Sequence, residues 1–361
     1  MRTTVIHDTK DHITRKAVEE DGALLTPPDS LLIVVRSGIL VHTFPVARTA
    51  VETSFNQDMK AIRVNERVAL AQYVFSFLQA RERQILSQGV KRGATVHSVQ
   101  SGFIESLEIP LPAPREQRRI VELLDQAHTV RRLRTKADSL TTDILPAIFR
   151  KMFGNPTRNA NGWPTENLLT ICSPRQWPTI SSRELLESGF PVYGANGRIG
   201  FYDSFNHEKA TVLITCRGAT CGTINVCEPK SYVTGNAMSL DDPDESKITN
   251  EFLEWFLRVR GLRDTITGAA QPQITRANLA IVEVPTPPKP LVNTFTEKAR
   301  ALRLIEAEQA ASRTNIETLF QTMLHRAFTG ELTAGWREAH MKELLAEMEI
   351  QSKILKGNLR Q

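Results

Sequence analysis

The sequence predicts an α+β fold in which one structural unit occurs twice. We expect two mixed α/β heads, separated by a long antiparallel two-helix coiled coil and related by a pseudo-two-fold internal repeat. Internal similarity, two long amphipathic helices and sufficient chain length support this prediction. One constant shift in numbering matches Phe77 with Phe252, Gly93 with Gly268, Ile109 with Val284, Pro112 with Pro287, and Phe153 with Phe328. Upstream, a slightly larger shift matches Gly38 with Gly218 and Asn56 with Asn236.

Length and composition agree with two folded domains. The chain has 361 residues, enough for two cores of ordinary size. A hydrophobic share of 41% and a charged share of 24% are typical of soluble globular proteins. The net charge of +5 and the pI near 9.1 permit a polyanionic partner such as nucleic acid but do not require one.

The first head is expected over residues 1–113, and it begins late compared with the second. At the larger of the two shifts, Met1 corresponds to Ser181. Nothing in the first head therefore corresponds to residues 154–180. A wrongly chosen start codon and a natural truncation are both compatible with this difference.

The first long helix is predicted over residues 114–153, with its core in residues 116–152. Pro110, Pro112 and Pro114 form an extended connector before it, and Gly154 with Pro156 ends it. At 1.5 Å per residue the core makes a rod of roughly 55 Å. Its expected buried stripe is Leu123, Ala127, Val130, Leu133, Ala137, Leu140, Ile144 and Ile148.

The second head is expected over residues 154–288, with strands at 211–215 and 223–227 and a helix at 251–258. Three glycines within residues 191–200 favour tight turns and close backbone approach to a ligand. The second long helix is predicted over residues 289–329. The expected buried stripe of this helix is Phe295, Ala299, Leu302, Ile316, Leu319, Met323 and Ala327. Residues 330–361 are expected to form a helical tail.

The two long helices are expected to pair antiparallel, because a small head alone cannot bury either stripe. The alternative is a pair of ordinary core helices within one large domain. Between residues 114 and 152 there are nine basic and five acidic residues, which favours a solvated rod. A rod of this length would hold the two heads apart.

No catalytic motif is evident. The sequence lacks a phosphate-binding GxxxxGK[ST] loop, a zinc-binding HExxH pair and a GxSxG nucleophile elbow. The acidic segment at residues 243–247 is better explained as a solvated turn than as a nuclease motif. The four cysteines fit no zinc pattern and are expected to be reduced.

The turn-rich tracts of the second head offer side chains suited to reading bases. Asn and Gln can pair with adenine, Arg with guanine, and Thr can contact a thymine methyl group. Each is explained equally well as a solvated loop residue or a local cap. The candidates are Asn196, Arg198, Arg217, Thr220, Gln271, Gln273, Thr275 and Arg276.

Several tracts resemble the specificity subunits of type I restriction-modification systems. The tracts that carry the resemblance are residues 109–121 with 148–156, then 191–197, 215–222, 268–273 and 324–333. Upstream, residues 13–14, 34–40, 44–45 and 56–61 are similar to the later part of another target-recognition domain of that family. The resemblance adds Arg36, Asn56, Gln57 and Lys60 to the candidate DNA-binding residues.

The resemblance implies a non-catalytic subunit that docks each head on one half of a split double-stranded DNA target. The polar opening of the sequence shows no secretory signal, so the cytoplasm is the expected location. Its helices would bind modification subunits, expected to number two and to carry S-adenosylmethionine. A separate restriction and translocase subunit would use ATP and Mg. The alternative is a degenerate or half-site-only subunit that acts as an assembly scaffold. The DNA sequence that is read does not follow from the amino-acid sequence, because readout depends on loop geometry.

Overall fold

The computed structural model describes residues 4–20, 23–268 and 271–358. The chain divides into two compact units. Unit 1 comprises Met1–Thr135 and Ser312–Gln361, and unit 2 comprises Lys136–Ala311. The mixture of helices and sheets within two units confirms the α+β fold class. The boundaries proposed at residues 113, 153, 288 and 329 remain predictions.

The elements are numbered in chain order. The strands are β1 Val5–Ile6, β2 Leu25–Thr26, β3 Leu31–Val34, β4 Arg36–Ser37, β5 Val46–Thr49, β6 Thr53–Ser54, β7 Met59–Ile62, β8 Val90–Lys91, β9 His97–Val99, β10 Thr165–Asn167, β11 Ser173–Gln176, β12 Phe190–Gly194, β13 Gly197–Tyr202, β14 Val212–Thr215, β15 Ile224–Val226, β16 Tyr232–Val233, β17 Ala237–Asp241 and β18 Glu283–Pro285.

The α-helices are α1 Arg15–Glu19, α2 Ala71–Ala80, α3 Glu82–Gln84, α4 Ser101–Glu105, α5 Pro114–Thr142, α6 Ile144–Phe153, α7 Leu168–Ile171, α8 Asn250–Arg260, α9 Lys289–Phe328, α10 Ala334–Ala339 and α11 Met341–Asn358. Short 3₁₀ helices cover Gly38–Val41, Arg263–Thr265 and Ala277–Ile281, and a π-helical turn covers Ile85–Gly89. No helix in the described part of the chain is both long and apolar enough to span a membrane.

Unit 1 is built on a four-stranded sheet in the order β1-β5-β3-β7. Central strand β3 pairs antiparallel with both neighbours, so Leu32 lies opposite Ala47 on one side and Ala61 on the other. Helix α2 follows the sheet and buries Tyr73, Phe75 and Phe77 in the core. Aliphatic and aromatic residues that are scattered in the sequence thus form one apolar layer beneath the sheet.

Unit 2 repeats the arrangement of three of these four strands; the fourth, β11, pairs with β17, whereas β1 of unit 1 pairs with β5. Its four-stranded sheet has the order β11-β17-β14-β15, and β14 pairs antiparallel with both β15 and β17. The set β15-β14-β17 therefore repeats the set β5-β3-β7 of unit 1, and α8 follows it as α2 does there. Strands β14 and β15 and helix α8 confirm the elements predicted at residues 211–215, 223–227 and 251–258. The internal repeat is confirmed at the level of strand order.

The first long helix differs from its prediction because it is interrupted. Helix α5 ends at Thr142 and α6 begins at Ile144, with Asp143 between them. Pro146 explains the break, since its nitrogen carries no hydrogen for the carbonyl of Thr142. A proline is tolerated in the first turn of α6, and the ladder resumes where the Ala147 amide bonds to the Asp143 carbonyl at 3.2 Å.

Helices α5 and α9 run antiparallel where both lie in unit 1. His128 packs against Phe320 with 4.4 Å between ring centroids, and three residues later Arg131 bonds to Glu317 at 2.8 Å. The guanidinium of Arg131 also lies over the Phe320 ring. In unit 2, α6 packs on the first part of α9, where Phe149 meets Phe295 edge-on at 5.4 Å. The predicted antiparallel pairing is therefore present.

The predicted apolar stripe of the first helix is wrong in part. Val130, Leu133, Leu140 and Ile144 are exposed, and Leu319 of the second stripe is exposed as well. The buried positions of the first helix include Ile120, Leu124, Thr141, Leu145 and Phe149. A spacing of three or four residues fits two adjacent helix faces, and only the partner helix determines which face is buried. Polar side chains such as Arg131 occupy part of the inner face.

The predicted helical tail is part of unit 1 and packs against its other elements. Buried Glu116 accepts hydrogen bonds from Thr333 at 2.6 Å and from Arg337 at 2.8 Å. Gln351 of α11 is also buried, and its amide donates to the carbonyl of Val68 at 2.7 Å. A buried carboxylate and a buried amide, each with its hydrogen-bond partners, fix the position of the tail.

Candidate nucleic-acid interface

Three loops of unit 2 meet at one edge of its sheets. They are the turn between β12 and β13, the loop after β14, and residues 267–276. The hydroxyl of Thr215, at the end of β14, donates to the carbonyl of Ala195 in the first turn. The Thr220 hydroxyl donates to Asn196 Oδ1 at 2.6 Å, which ties the second loop to the first. The amide of Asn196 is exposed and held in a defined orientation.

The third loop joins through backbone contacts. Gln273 forms antiparallel bridges with Arg217 and with Thr267. The Gly218 amide donates to the carbonyl of Pro272 at 3.0 Å. Arg217 and Gln273 are both exposed, so their side chains are available at this edge.

Gly268 makes the turn of the third loop possible. Its φ angle of +87° lies in the left-handed region, and a Cβ atom there would stand 2.5 Å from the carbonyl oxygen of Gln271. Only glycine fits such a position without strain. The neighbouring positions 269 and 270 of the family-like tract lie outside the described residues.

The structure brings together five of the eight candidates predicted in this unit. Those five are Asn196, Arg217, Thr220, Gln271 and Gln273. The other three are engaged elsewhere or lie further along the chain. Arg198 lies on β13, 3.8 Å from Glu228, and its guanidinium stacks over Phe201. The Thr275 hydroxyl donates to Asn278 Oδ1 at 2.8 Å, and Arg276 follows it directly before the 3₁₀ helix Ala277–Ile281.

Unit 1 has a corresponding edge. Arg36 lies opposite Ser98, where β4 pairs antiparallel with β9. The Arg36 amide donates to the carbonyl of Asp58 at 3.2 Å, and the Asp58 amide donates to Asn56 Oδ1 at the same distance. Lys60 Nζ donates to the hydroxyl of Ser101 at 2.6 Å. Arg36, Asn56 and Lys60 are therefore neighbours, and exposed Gln57 shares the turn with Asn56.

The hairpin formed by β8 and β9 corresponds to the third loop of unit 2. A Cβ atom on Gly93 would lie 2.3 Å from the carbonyl oxygen of Val96, as tight as at Gly268. Residues 91–96 are exposed and include Lys91 and Arg92. The sequence prediction missed these two basic residues. The shift that matches Gly93 with Gly268 is the signal that could have identified them.

A buried polar network supports the sheet of unit 2. Asn206 exchanges two hydrogen bonds with the backbone of Val233, accepting at 2.8 Å and donating at 3.0 Å, which fixes the orientation of its amide. His207 Nδ1 lies 2.6 Å from Asn206 Oδ1, and His207 Nε2 lies 2.9 Å from Asp241 Oδ1. Both ring nitrogens therefore lie within hydrogen-bond distance of side-chain oxygens.

Asp241 is the acidic member of this network. Burial raises its pKa, but hydrogen bonds from His207, Ser239 and Trp177, together with the charge of His207, outweigh burial and hold the pKa below its ordinary value. The indole of Trp177 donates to Asp241 Oδ2 at 3.2 Å. The network links β17 to the segment that precedes β14.

The acidic segment predicted to be a turn is a turn. Asp244 accepts from the Ser246 amide at 3.1 Å, and Lys247 bridges Asp244 at 3.2 Å and Glu166 at 2.8 Å. Within the described ranges, no three His, Cys, Asp or Glu side chains lie close enough together to hold a metal ion. The four cysteines are free thiols.

Comparison with known proteins gives a consistent result. The family model of the type I restriction modification DNA specificity domain matches residues 3–137 and 162–291. The chain is 36% identical over 152 residues to the specificity subunit of the Escherichia coli type I restriction enzyme EcoR124I/EcoR124II, a match that spans 42% of this chain and 35% of the relative. It is 22% identical over 336 residues to the EcoDI specificity subunit of Escherichia coli, spanning 78% of this chain and 75% of the relative.

The fold is also similar to that of solved structures. The S subunit of a type I restriction-modification system from M. genitalium superposes with a TM-score of 0.57 at 17% identity, covering 84% of this chain and 83% of that one. A chain from another type I system gives a TM-score of 0.56 at 19% identity, covering 85% of this chain and 83% of that one. Members of the matched family are non-catalytic specificity subunits that recognise DNA. The predicted family is confirmed, and the chain belongs to the type I restriction-modification DNA specificity subunits.

Proposed function

We propose that this chain reads a two-part double-stranded DNA target, one half with each unit, and docks modification subunits through its long helices. One observation carries the proposal: the same edge is built twice. Arg36 lies opposite Ser98 in unit 1, and Arg217 is bridged to Gln273 in unit 2. In each case a glycine turn too tight for a Cβ atom lies within the adjoining loop.

The chemistry of the two edges suits base readout. Arginine can donate two hydrogen bonds to guanine, and Asn or Gln can pair in the same way with adenine. Unit 2 presents Asn196, Arg217 and Gln273 for this purpose. Unit 1 presents Arg36, Asn56 and Gln57, with Lys60, Lys91 and Arg92 available for phosphates. Phosphate contacts of this kind position a protein on DNA and make its binding sensitive to salt.

Exposed apolar side chains on the long helices support docking of protein partners. In unit 1 these are Val130, Leu133 and Leu319, and in unit 2 they are Leu140, Ile144, Leu304 and Ile305. Apolar surface that a helix leaves exposed in this way is typical of a protein interface. We propose that modification subunits, two in number, cover these side chains and carry S-adenosylmethionine. A restriction and translocase subunit would supply ATP and Mg chemistry.

The test is methylome sequencing of cells with and without this gene. The proposed function requires a two-part methylated motif that disappears when the gene is deleted. A single-part motif would instead support a half-site-only subunit. An unchanged methylome, with the modification subunit still bound to the purified chain, would overturn DNA reading and leave an assembly scaffold.

A further inference from the structure

An asparagine outside the candidate set lies at the same edge of unit 2. Asn236 occupies the turn that precedes β17, and it is exposed. Its carbonyl oxygen accepts from the Cys216 amide at 3.4 Å and from the Cys216 thiol at 3.3 Å. Cys216 is buried and directly precedes Arg217. Asn236 is therefore adjacent to the second of the three loops.

Hydrogen bonds and close packing fix the backbone of this turn. The Ala237 amide donates to the Thr234 carbonyl at 3.0 Å, which closes a turn whose third residue is Asn236. A Cβ atom at Gly235 would lie 2.7 Å from a carbonyl oxygen just after β11, so the backbone passes too close for a larger residue. The side chain of Asn236 therefore extends from a backbone that is held in place on both sides.

Unit 1 contains the same turn before β7. The Met59 amide donates to the Asn56 carbonyl at 3.1 Å, and the third residue is Asp58, whose carbonyl accepts from the Arg36 amide at 3.2 Å. The turn and its link to the neighbouring loop are thus built twice. Asn56, however, is the first residue of its turn, and its Oδ1 accepts from the Asp58 amide at 3.2 Å. The repeat that matches Asn56 with Asn236 places Asn236 two positions further along the turn.

The carboxamide of Asn236 is less engaged than those of the other two asparagines at these edges. Asn196 Oδ1 accepts from the Thr220 hydroxyl at 2.6 Å, and Asn56 Oδ1 accepts within its own turn. In the part of the chain that the structure describes, no group bonds to the carboxamide of Asn236. Its Oδ1 and Nδ2 are therefore both available to a ligand at the edge.

We propose that Asn236 is a specificity-determining residue of unit 2 and reads an adenine through both atoms of its carboxamide. In the major groove, adenine offers the N6 donor beside the N7 acceptor, which matches Oδ1 beside Nδ2. Guanine offers two acceptors, cytosine a donor, and thymine an acceptor with a methyl group, so none of them matches both atoms. This base contact rests on the proposed function, since it lies within the half-target that unit 2 would read.

The experiment is selection of binding sites from random double-stranded DNA by the full chain together with its modification subunits. The wild type should select an adenine at one position of the half-motif that Arg217→Ala weakens. Asn236→Asp keeps the shape of the side chain but replaces its donor with an acceptor. The preference at that position should therefore shift from adenine to cytosine, whose N4 group donates. Asn236→Ala should lower discrimination at that position about tenfold or more.

A protein control and a DNA control accompany these variants. Asn293→Asp introduces the same charge at an exposed position of α9, outside the three loops, and should leave both half-motifs unchanged. Duplexes with 7-deazaadenine at the selected position test the Nδ2 contact, because this base lacks the N7 acceptor. They should bind the wild type about tenfold more weakly and bind Asn236→Ala within about twofold of the adenine duplex.

Three outcomes would contradict the assignment of adenine to Asn236. An unchanged half-motif in a folded Asn236→Asp protein would overturn it and leave the proposed function intact. Weakening by the same factor on all sequences would identify Asn236 as a phosphate contact and would also overturn it. Failure of the wild type to select any motif would overturn the proposed function itself, and the adenine contact with it.

Discussion

The ring of Phe77 lies edge-on to the ring of Phe328, with 5.4 Å between centroids and 78° between planes. Phe252 meets Phe153 in the same geometry, at 5.0 Å and 79°. The internal repeat matches Phe77 with Phe252 and Phe153 with Phe328, so both units contain the same contact. In each unit, the short helix of one repeat copy packs on the end of the long helix from the other copy. The two copies complete each other's cores.

Removing the ring of Phe328 should therefore destabilise unit 1. The ring also contacts Tyr73 at 5.3 Å, and its loss leaves a cavity at the base of α2. We expect Phe328→Ala to cost about 3 kcal/mol. Hydrogen exchange measured on the full chain should show lost protection in α2 and unchanged protection in α8. Leu319→Ala, at an exposed position of the same helix, is the control and should change stability by less than about 0.5 kcal/mol.

Arg36 lies at the candidate interface of unit 1 and Arg217 at that of unit 2. Substitution of each arginine should therefore affect only one half of the target. We expect Arg217→Ala to weaken binding to one half-motif and Arg36→Ala to weaken binding to the other, each by about 1–3 kcal/mol. Selection of binding sites from random DNA, with the modification subunits present, would report both effects. Arg198→Ala is a control, because that side chain faces Glu228 and Phe201. Uniform weakening across all sequences would identify the arginines as phosphate contacts and count against base readout.

The stability of unit 2 should depend on pH through Asp241. Its folded pKa lies below the ordinary value of 3.8, so the carboxylate stabilises the folded unit above that pH. The contribution is lost as the pH falls through the folded pKa. Asp241→Asn should remove this acid dependence and destabilise unit 2 by about 1–3 kcal/mol near neutral pH, because an amide cannot accept every hydrogen bond that the buried carboxylate accepts from its neighbours.

Denaturation of the wild type and of Asp241→Asn between pH 7 and pH 2 would check this prediction, with exchange of the β17 amides as the local readout. Asp242→Asn, next in sequence but exposed, is the control. If the free energy of unfolding of the wild type and of Asp241→Asn changes equally with pH, Asp241 does not cause the acid dependence and the prediction is wrong.

A negative charge introduced on the exposed face of α5 should weaken binding of the modification subunit without unfolding the helix. Leu133 has 57% of its surface exposed, so Leu133→Glu should change stability by no more than about 0.5 kcal/mol. If Leu133 is an anchor for a modification subunit, the same change should weaken the complex by about 2 kcal/mol or more. Calorimetric titration with the purified modification subunit provides the measurement. Thr129→Glu, also exposed on α5, tests whether added charge alone has this effect.

The sequence alone identified more of the candidate interface in unit 2 than of the candidate interface in unit 1. Asn196, Arg217 and Gln273 were identified because turn residues and base-reading side chains coincide in short tracts. Lys91 and Arg92 were missed because a hairpin tip carries no such tract. Their position beside Arg36 depends on β9 pairing with both β8 and β4, which is a contact between distant parts of the chain.

The amino-acid sequence by itself determined that one unit occurs twice, that each copy leads into a long helix, and which family the chain belongs to. These properties depend on the types of residue and on their spacing along the chain, which can be read without knowing the contacts between distant residues. Only the tertiary structure decided that Val130 and Leu133 are exposed while Leu124 is buried, and that Phe77 meets Phe328. A helix carries apolar residues on more than one face, and the partner packed against it determines which of them leave water.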